Sequence, residues 1–345
     1  MSQTRAYDVV VIGAGPAGMT AALYTGRAML STALLEKGVP GGELLNTEYL
    51  DDVIGWPKIL GGELAQKFAD HAKEFGAEFV EFTAVERVTK RPDGLFETVA
   101  ESGDIFLSPA VIVTAGGTPV KLGIPGELEY AGQGVSYCAV CDGAFFKGHT
   151  IAVAGGGDAA VEEADYLTRY AEKVYLVHRR GELRASALLQ KRLFANPKIE
   201  VIWNTVIEEV LGLPGSGPGT GMTALRLHHT GARAPSELAV TGLFVFVGFK
   251  PNTGIIDGHY DHDPMGYVTT DYTMMSSIPG LFVAGDMRSQ LTRQVTTACG
   301  DATTAAIAVD KYLKGLREAV ARGEDQAEAT ADAVLSARIE AGGYT

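Results

Sequence analysis

Residues 8–18 read Asp-Val-Val-Val-Ile-Gly-Ala-Gly-Pro-Ala-Gly, and this stretch decides the fold of the first part of the chain. The short apolar run that opens it is typical of a buried parallel strand. The spacing Gly13-x-Gly15-x-x-Gly18 then predicts a tight turn into a helix of small residues. Glu36 stands at the end of the next predicted strand, where a carboxylate can accept the ribose hydroxyls of an adenosine. The combination favours a dinucleotide site over a merely glycine-rich loop.

The same pattern is repeated near the middle of the chain. Residues 150–154 predict another buried strand, Gly155-x-Gly157-x-x-Ala160 the turn, and residues 158–170 the helix. Two strand–turn–helix units of this kind predict an α/β fold with two nucleotide-binding domains.

Three further elements are predicted from periodicity. Residues 65–75 have helical spacing, residues 79–113 are rich in strand formers, and a helix from about Thr303 to Leu316 is expected to close the first domain.

The strand after the second loop ends in basic residues where an acid would bind a bare ribose. His178-Arg179-Arg180 occupy this place, and Arg184 lies about one helical turn further on. Guanidinium groups bind phosphate as bidentate donors, whereas a carboxylate would repel it. The cluster therefore predicts the 2′-phosphate of NADPH in the second site, while Glu36 predicts FAD in the first. The alternative is a solvated basic patch.

The pair Cys138-x-x-Cys141 stands directly before the second loop. Two sulfurs at this spacing can alternate between dithiol and disulfide. Zinc binding needs a second ligand pair, and the third cysteine, Cys299, is isolated, so no metal site is predicted. Two inert core cysteines are the remaining alternative. Asp142 follows the pair and is placed to give or take a proton, or else to form a turn.

Composition restricts the class of protein further. Of the 345 residues, 46% are hydrophobic, 21% are charged and 43 are glycine, and the formal net charge is −13. Nucleic-acid binding needs a basic footprint, so this charge argues against it. No apolar stretch approaches the roughly 18 residues that a membrane helix needs, and the first apolar run leads into a glycine turn rather than a signal-peptide cleavage site. Three cysteines are too few for a secreted disulfide scaffold, so we expect a cytoplasmic protein without a membrane partner.

These motifs, in this order, resemble the low-molecular-weight thioredoxin reductases of bacteria from about Tyr7 to about Leu316. The resemblance rests on residues 9–18, 41–42, 114–116, 136–146, 155–164, 178–184, 248–253, 285–286 and 293–295. It implies two Rossmann-like, three-layer nucleotide-binding domains of the ββα type. A discontinuous FAD domain would comprise residues 1–119 and 246–316. An inserted NADPH domain, 120–245, would carry the cysteine pair, with residues 317–345 as a C-terminal tail or helix.

The resemblance also implies roles for individual residues. Cys141 would face the flavin, Cys138 would attack thioredoxin, and Asp142 would be the acid. The FAD-binding candidates are Gly13, Gly15, Pro16, Ala17, Gly18, Glu36, Lys37, Gly42, Glu43, Leu44, Val85, Ala115, Gly116, Gly285, Asp286, Arg293, Gln294 and Val295. The NADPH-binding candidates are Gly155, Gly157, Asp158, Ala159, Ala160, His178, Arg179, Arg180 and Arg184.

The activity implied is that of an NADPH-dependent flavoprotein disulfide reductase. Electrons would pass from NADPH through FAD to the Cys138–Cys141 disulfide and then to a thioredoxin or thioredoxin-like protein, in a homodimer. The alternatives are the reduction of a small disulfide, a flavin-dependent redox sensor, and a dithiol oxidase, against which the arginine cluster argues. A domain rotation is expected, with the linkers near 117–126 and 242–250 as hinges. Their hinge candidates are Gly117, Gly123, Gly126, Gly242 and Gly248.

The sequence departs from the family pattern in three places. Glu43 stands where the family commonly has Gln, and a carboxylate near the flavin would lower its reduction potential. Residues 45–57 replace a threonine-rich stretch, and the tail extends beyond the usual end of the family.

Overall fold

The computed structural model of the chain describes residues 2–47, 49–50, 52–213, 221–231, 234–324 and 329. Most of the Gly/Pro-rich turn at 212–221 and most of the tail after Arg317 lie outside the described residues. Residues 317–321 continue the last helix of the described chain.

Six α-helices lie in the part of the chain that the structure describes. They are α1 (Pro16–Arg27), α2 (Gly61–Glu74), α3 (Ala139–Asp142), α4 (Asp158–Leu167), α5 (Ala187–Ala195) and α6 (Val295–Ala321).

Twenty-one strands lie in the same described residues. They are β1 (Thr4–Ala6), β2 (Val9–Ile12), β3 (Thr32–Leu35), β4 (Tyr49–Leu50), β5 (Ile59–Leu60), β6 (Glu78–Val80), β7 (Val85–Lys90), β8 (Phe96–Ala100), β9 (Ile105–Ser108), β10 (Ala110–Val113), β11 (Gly117–Pro119), β12 (Val135–Ser136), β13 (Thr150–Gly155), β14 (Lys173–Val177), β15 (Ile199–Ile202), β16 (Thr205–Gly212), β17 (Met222–His229), β18 (Ser236–Ala239), β19 (Gly242–Phe246), β20 (Phe249–Pro251) and β21 (Leu281–Val283).

The chain folds into two compact units. The first comprises residues 1–117 and 251–345, and the second residues 118–250. The domain boundaries predicted from the resemblance lie after residues 119 and 245. The chain passes from one unit to the other at β11 and again at β20. These two strands pair with each other as a short two-stranded sheet.

The first unit is built around a five-stranded parallel sheet with the order β21-β10-β2-β3-β6. Along β2 the side chains alternate between two cores. Val9 and Val11 pack with buried residues of α1, α2 and α6 on one face, whereas Val10 and Ile12 pack with the second sheet, β1-β9-β8-β7, on the other. Both faces of the parallel sheet are therefore buried, which explains why its strands read as unbroken apolar runs.

The second unit repeats this plan. Its parallel sheet has the order β12-β19-β13-β14-β15. Ile151 and Val153 of β13 face a core that includes residues of α4 and α5. Ala152 and Ala154 face the antiparallel sheet β16-β17-β18. The predicted three-layer α/β fold is thus confirmed. Among the helices of the described chain, none combines the length and the apolar character needed to cross a bilayer.

Candidate functional site

The first glycine loop is shaped by backbone contacts that only glycine allows at two positions. Gly13 has φ of 95°, and a Cβ added there would lie 2.7 Å from the carbonyl oxygen of Thr114. A Cβ on Gly18 would lie 1.7 Å from the carbonyl oxygen of Gly13. The turn between β2 and α1 can therefore close only with glycine at these positions.

Gly15, the second glycine of the motif, faces open space instead. The nearest atom to a Cβ added to Gly15 is the Cα of Gly42, at 3.9 Å. Gly15 is the N-cap of α1, and no side chain caps this helix. Gly41 donates its N–H to the carbonyl oxygen of Ala14 at 2.8 Å, and this bond places Gly41 and Gly42 beside the loop. An uncapped helix N-terminus with free space before it fits the pyrophosphate of a dinucleotide.

Glu36 is held against this loop by its own side chain. Its Oε2 accepts the N–H of Ala14 at 2.7 Å, and its Oε1 accepts the N–H of Gly38 at 2.9 Å. Each carboxylate oxygen keeps a further acceptor position, so the side chain can still bind ribose hydroxyls.

Most of the FAD-binding candidates follow the carboxyl ends of neighbouring parallel strands. Those after β2, β3, β10 and β21 are Gly13, Gly15, Pro16, Ala17, Gly18, Glu36, Lys37, Ala115, Gly116, Gly285 and Asp286. Gly42, Glu43 and Leu44 lie in the 3₁₀ turn Gly42–Asn46, and Arg293, Gln294 and Val295 lie at the start of α6. Val85 is the exception, because it begins β7 in the other sheet.

Asp286 lies near two other acids at this edge of the sheet. Burial is the main cause that raises the pKa of Asp286, the charges of Glu43 and Asp301 raise it further, and Arg293 opposes them. The guanidinium carbon of Arg293 lies 3.9 Å from the ring centroid of Tyr267, which is a cation–π contact. The acidic substitution at position 43 therefore adds negative charge where Asp286 is already poorly solvated.

An ion pair between a half-buried arginine and a buried aspartate lies next to this edge. Arg288 donates from Nε and Nη2 to the two carboxylate oxygens of Asp301, both at 3.0 Å. Asp301 is 7% exposed and also accepts the N–H of Gly285 at 3.3 Å. The pair fixes the turn that carries Asp286. The two residues are 13 positions apart and belong to no recognisable motif.

The second glycine loop follows β13 in the same way. Gly157 is the N-cap of α4, no side chain caps the helix, and a Cβ added to Gly157 would meet nothing within 4 Å. This loop therefore also fits a pyrophosphate. The candidates Asp158, Ala159 and Ala160 form the first turn of α4, and Gly155 ends β13.

The structure separates the basic cluster into a buried histidine and three exposed arginines. His178 is 6% exposed, and its Nε2 lies 2.9 Å from the carbonyl oxygen of Glu182, so the ring supports the loop from within. Arg179, Arg180 and Arg184 are exposed. Among the described residues, none of the three pairs with a carboxylate, so their charges are available to an anion.

Cys138 and Cys141 form a disulfide, with their Cα atoms 5.4 Å apart. Cys138 is half-buried and is the N-cap of α3, and its Sγ accepts the N–H of Cys141 at 3.1 Å, while Cys141 is exposed. Ser136, whose role the sequence analysis did not recognise, donates its hydroxyl to Oδ2 of Asp142 at 2.6 Å. The same hydroxyl oxygen accepts the N–H of Cys138 at 3.1 Å. One side chain thus joins the acid to the redox pair.

Cys299 lies in α6 and takes no part in this arrangement. Burial raises the pKa of its thiol, and a contact with Thr20 opposes the shift. The half-buried thiol therefore stays protonated at neutral pH.

Two glycine loops on parallel sheets and a disulfide next to an acid define a class of enzymes that move electrons between a pyridine nucleotide and a disulfide. Residues 7–302 match the family "Pyridine nucleotide-disulphide oxidoreductase", and the chain belongs to this family.

The chain is similar to proteins named thioredoxin reductase. It is 44% identical over 319 residues to that of Listeria innocua, which covers 92% of this chain and 98% of the relative. The crystal structure of Lactococcus lactis thioredoxin reductase matches with a TM-score of 0.84 and 41% identity, over 89% of this chain and 99% of that one. The crystal structure of T. acidophilum thioredoxin reductase matches with a TM-score of 0.82 and 32% identity, over 89% of this chain and 98% of that one. The resemblance read from the sequence is thereby confirmed, and so is the prediction of an oxidoreductase.

Proposed function

We propose that this enzyme reduces the disulfide of a thioredoxin or thioredoxin-like protein with electrons from NADPH. One observation carries the proposal. The Cys138–Cys141 disulfide is tied through Ser136 to Asp142, in the same unit as a nucleotide loop with three exposed arginines. Its similarity to thioredoxin reductases over most of the chain supports the same activity.

The first unit would hold FAD and the second NADPH. The loop at Gly15 and the carboxylate of Glu36 would bind the pyrophosphate and ribose of FAD, and Arg179, Arg180 and Arg184 would bind the 2′-phosphate of NADPH. Bound FAD would supply the means of passing an electron pair from NADPH to the disulfide.

The protein's own residues then carry out thiol–disulfide exchange. The electron pair breaks the Cys138–Cys141 bond, and uptake of two protons from NADPH and solvent leaves two thiols, of which Cys138 reacts as the thiolate. The thiolate of Cys138 attacks one sulfur of the partner's disulfide and displaces the other. Cys141 next attacks the sulfur of Cys138, which restores the internal disulfide and releases the partner with two more electrons and two protons.

The surroundings of the pair favour these steps. The N–H of Cys141 points at the Sγ of Cys138 and would stabilise a thiolate there. Asp142, oriented by Ser136, is placed to hold or release a proton as the sulfurs change charge. The assignment of Cys138 as the attacking residue stays a prediction from the resemblance.

The test is NADPH oxidation by the purified yellow protein with and without thioredoxin. We expect turnover that requires thioredoxin and that NADH supports poorly. Cys138→Ser should keep a reducible flavin but lose turnover, whereas the control Cys299→Ser should retain it. Full turnover by the Cys138→Ser variant would exclude the assigned exchange.

The alternatives give different results in the same assay. Reduction of a chromogenic small disulfide without any acceleration by thioredoxin would favour a small-molecule disulfide reductase. Oxygen uptake driven by dithiols would favour an oxidase, and no sustained NADPH consumption with any disulfide would favour a sensor. We also expect a cytoplasmic homodimer, and light scattering checks the subunit number.

A further inference from the structure

The side chain of Asp158 is used within the protein, at a place where a carboxylate is unfavourable for an anionic ligand. Asp158 is the first residue of α4, next to the open position at Gly157. Its Oδ1 accepts the backbone N–H of Ser186 at 2.6 Å, although the two residues are 28 positions apart. A negative charge beside a phosphate site weakens phosphate binding by repulsion. Its presence therefore needs a structural reason.

That reason lies in the segment 181–186, which has no regular secondary structure. Its backbone is fastened to the second glycine loop. Arg184 donates its N–H to the carbonyl oxygen of Gly156 at 2.8 Å, and Ala185 donates to the same oxygen at 3.3 Å. The bond to Asp158 is the third attachment, and it fixes the residue where α5 is about to begin.

The other two arginines do not depend on this attachment. Arg179 and Arg180 follow β14 directly, and His178 before them donates its N–H to Ile202 at 2.9 Å. The carbonyl oxygen of Arg180 accepts the N–H of Asn204 at 3.2 Å. Loss of the Asp158 bond should therefore loosen the segment that carries Arg184 and leave Arg179 and Arg180 in place.

We propose that Asp158 is a positioning residue for the selection of NADPH over NADH, because it holds the backbone segment that keeps Arg184 at the second loop. The inference rests on the proposed function only in taking this loop as the nicotinamide dinucleotide site. The 2′-phosphate is the only difference between the two dinucleotides. A residue that acts through Arg184 should thus affect NADPH and leave NADH unchanged.

The test uses calorimetric titration of the purified holoenzyme with 2′,5′-ADP and with 5′-AMP, which differ by the 2′-phosphate. Asp158→Asn removes the charge but keeps an oxygen that can accept the Ser186 N–H, whereas Asp158→Ala removes both. We expect Asp158→Ala to bind 2′,5′-ADP about 3–10-fold more weakly than Asp158→Asn, the range for one hydrogen bond. The two variants should bind 5′-AMP within about twofold of each other, since neither changes the common part of the site.

A double-mutant cycle identifies the residue through which Asp158 acts. In an Arg184→Ala background, the Asn and Ala variants at position 158 should bind 2′,5′-ADP equally well. Asp165→Ala is the matched control. Asp165 lies on the same helix, and its carboxylate likewise accepts a hydrogen bond from a distant residue, Nδ2 of Asn196 at 2.7 Å. It should leave the ratio of the two affinities unchanged.

Three outcomes would overturn the inference. Equal weakening of both ligands by Asp158→Ala would mean that Asp158 acts on the part of the site that the two ligands share, and not through the 2′-phosphate. A difference between the Asn and Ala variants that persists without Arg184 would exclude the route through that residue. If the unaltered enzyme binds neither compound, the proposed NADPH site fails and the inference fails with it. If the unaltered enzyme binds 2′,5′-ADP and only the variants deviate, the inference alone fails.

Discussion

The close packing of His178 against Gly156 predicts that Gly156→Ala lowers the free energy of unfolding substantially, and that removal of the His178 ring relieves this loss. A Cβ built on Gly156 would lie 2.3 Å from both Cε1 and Nδ1 of the His178 ring, whereas ordinary contact begins at 3.4 Å. The ring must then move by roughly an ångström. It has little room, because it is 6% exposed, bonded to the carbonyl oxygen of Glu182 at 2.9 Å and packed edge-on against Trp203.

The magnitude follows from these contacts. Overpacking costs about 1–3 kcal/mol, and loss of the hydrogen bond to Glu182 adds about 1 kcal/mol, so Gly156→Ala should lower the free energy of unfolding by about 2–4 kcal/mol. His178→Ala alone should cost about 2–4 kcal/mol, because it leaves a cavity and an unbonded carbonyl. In the double variant the new methyl group enters the space that the ring has left. Gly156→Ala should then cost less than about 0.5 kcal/mol, which is a coupling of about 2–3 kcal/mol.

The assay is urea denaturation followed by the fluorescence of Trp203. The chain has two tryptophans, and Trp56→Phe removes the other, so the signal then reports on the second unit. Additive costs in the double variant would refute the packing described here. So would a harmless Gly156→Ala, since the ring could not then lie against the loop.

Three other changes test the first unit. Gly18→Ala places a Cβ 1.7 Å from the carbonyl oxygen of Gly13, and it should abolish flavin retention, measured as the ratio of 450 to 280 nm absorbance after gel filtration. Asp286→Asn should stabilise the flavin-free protein at pH 7 but not at pH 3. The folded state raises the pKa of this carboxyl, so its ionisation lowers stability as the pH rises above the unfolded value, and urea denaturation at both pH values checks the sign. Asp301→Asn leaves Arg288 without its carboxylate and should cost about 2–4 kcal/mol in the same measurement, and an unchanged midpoint would contradict a structural role for the pair.

The parallel strands were predictable because both of their faces are buried. In β2, apolar residues do not alternate with polar ones, because both faces of the strand are buried. Val9 and Val11 pack with the helices, and Val10 and Ile12 pack with the second sheet. Few other structures require four consecutive apolar residues that end in a glycine turn. The same reasoning located β13 and its loop, which is why two nucleotide folds could be predicted without the structure.

Helix length was less predictable, as α6 shows. The sequence predicted a helix from about Thr303 to Leu316, whereas α6 extends over Val295–Ala321. Its first turns contain threonine, cysteine and glycine, which have low helix propensity. Burial of small residues such as Ala298 and Ala302 in the core shared with α1 compensates for this propensity.

Contacts between side chains distant in sequence could not be predicted. The cluster at 178–184 was treated as one basic surface, yet His178 turns inward while the arginines remain exposed. No periodicity extends past the end of β14 to indicate which residue faces the loop. The bond between Asp158 and Ser186 likewise depends on how two loops meet.

Three of the five predicted hinge glycines lie in closely packed or hydrogen-bonded surroundings. Gly242 lies within β19, and a Cβ there would come within 2.5 Å of a buried aromatic ring. A Cβ on Gly126 would lie 2.3 Å from the carbonyl oxygen of Val210. The N–H of Gly123 is held by the carboxylate of Glu127 at 2.6 Å. A side chain is therefore excluded at Gly242 and Gly126, and a change of torsion at Gly123 would strain its bond to Glu127.

Gly248 remains a hinge candidate, because it lies between β19 and β20 and not within a strand. Gly248 has φ of 130°, and a Cβ there would meet nothing within 4 Å, so Gly248→Ala causes backbone strain but no clash. The strain should cost about 1–3 kcal/mol. If Gly248 changes its torsion during turnover, kcat should fall several-fold while the affinity for 2′,5′-ADP stays constant. Gly62→Ala is the control, because Gly62 lies in α2, also meets nothing within 4 Å and has no positive φ. Equal kcat values for the two variants would show that Gly248 keeps a single conformation through the cycle.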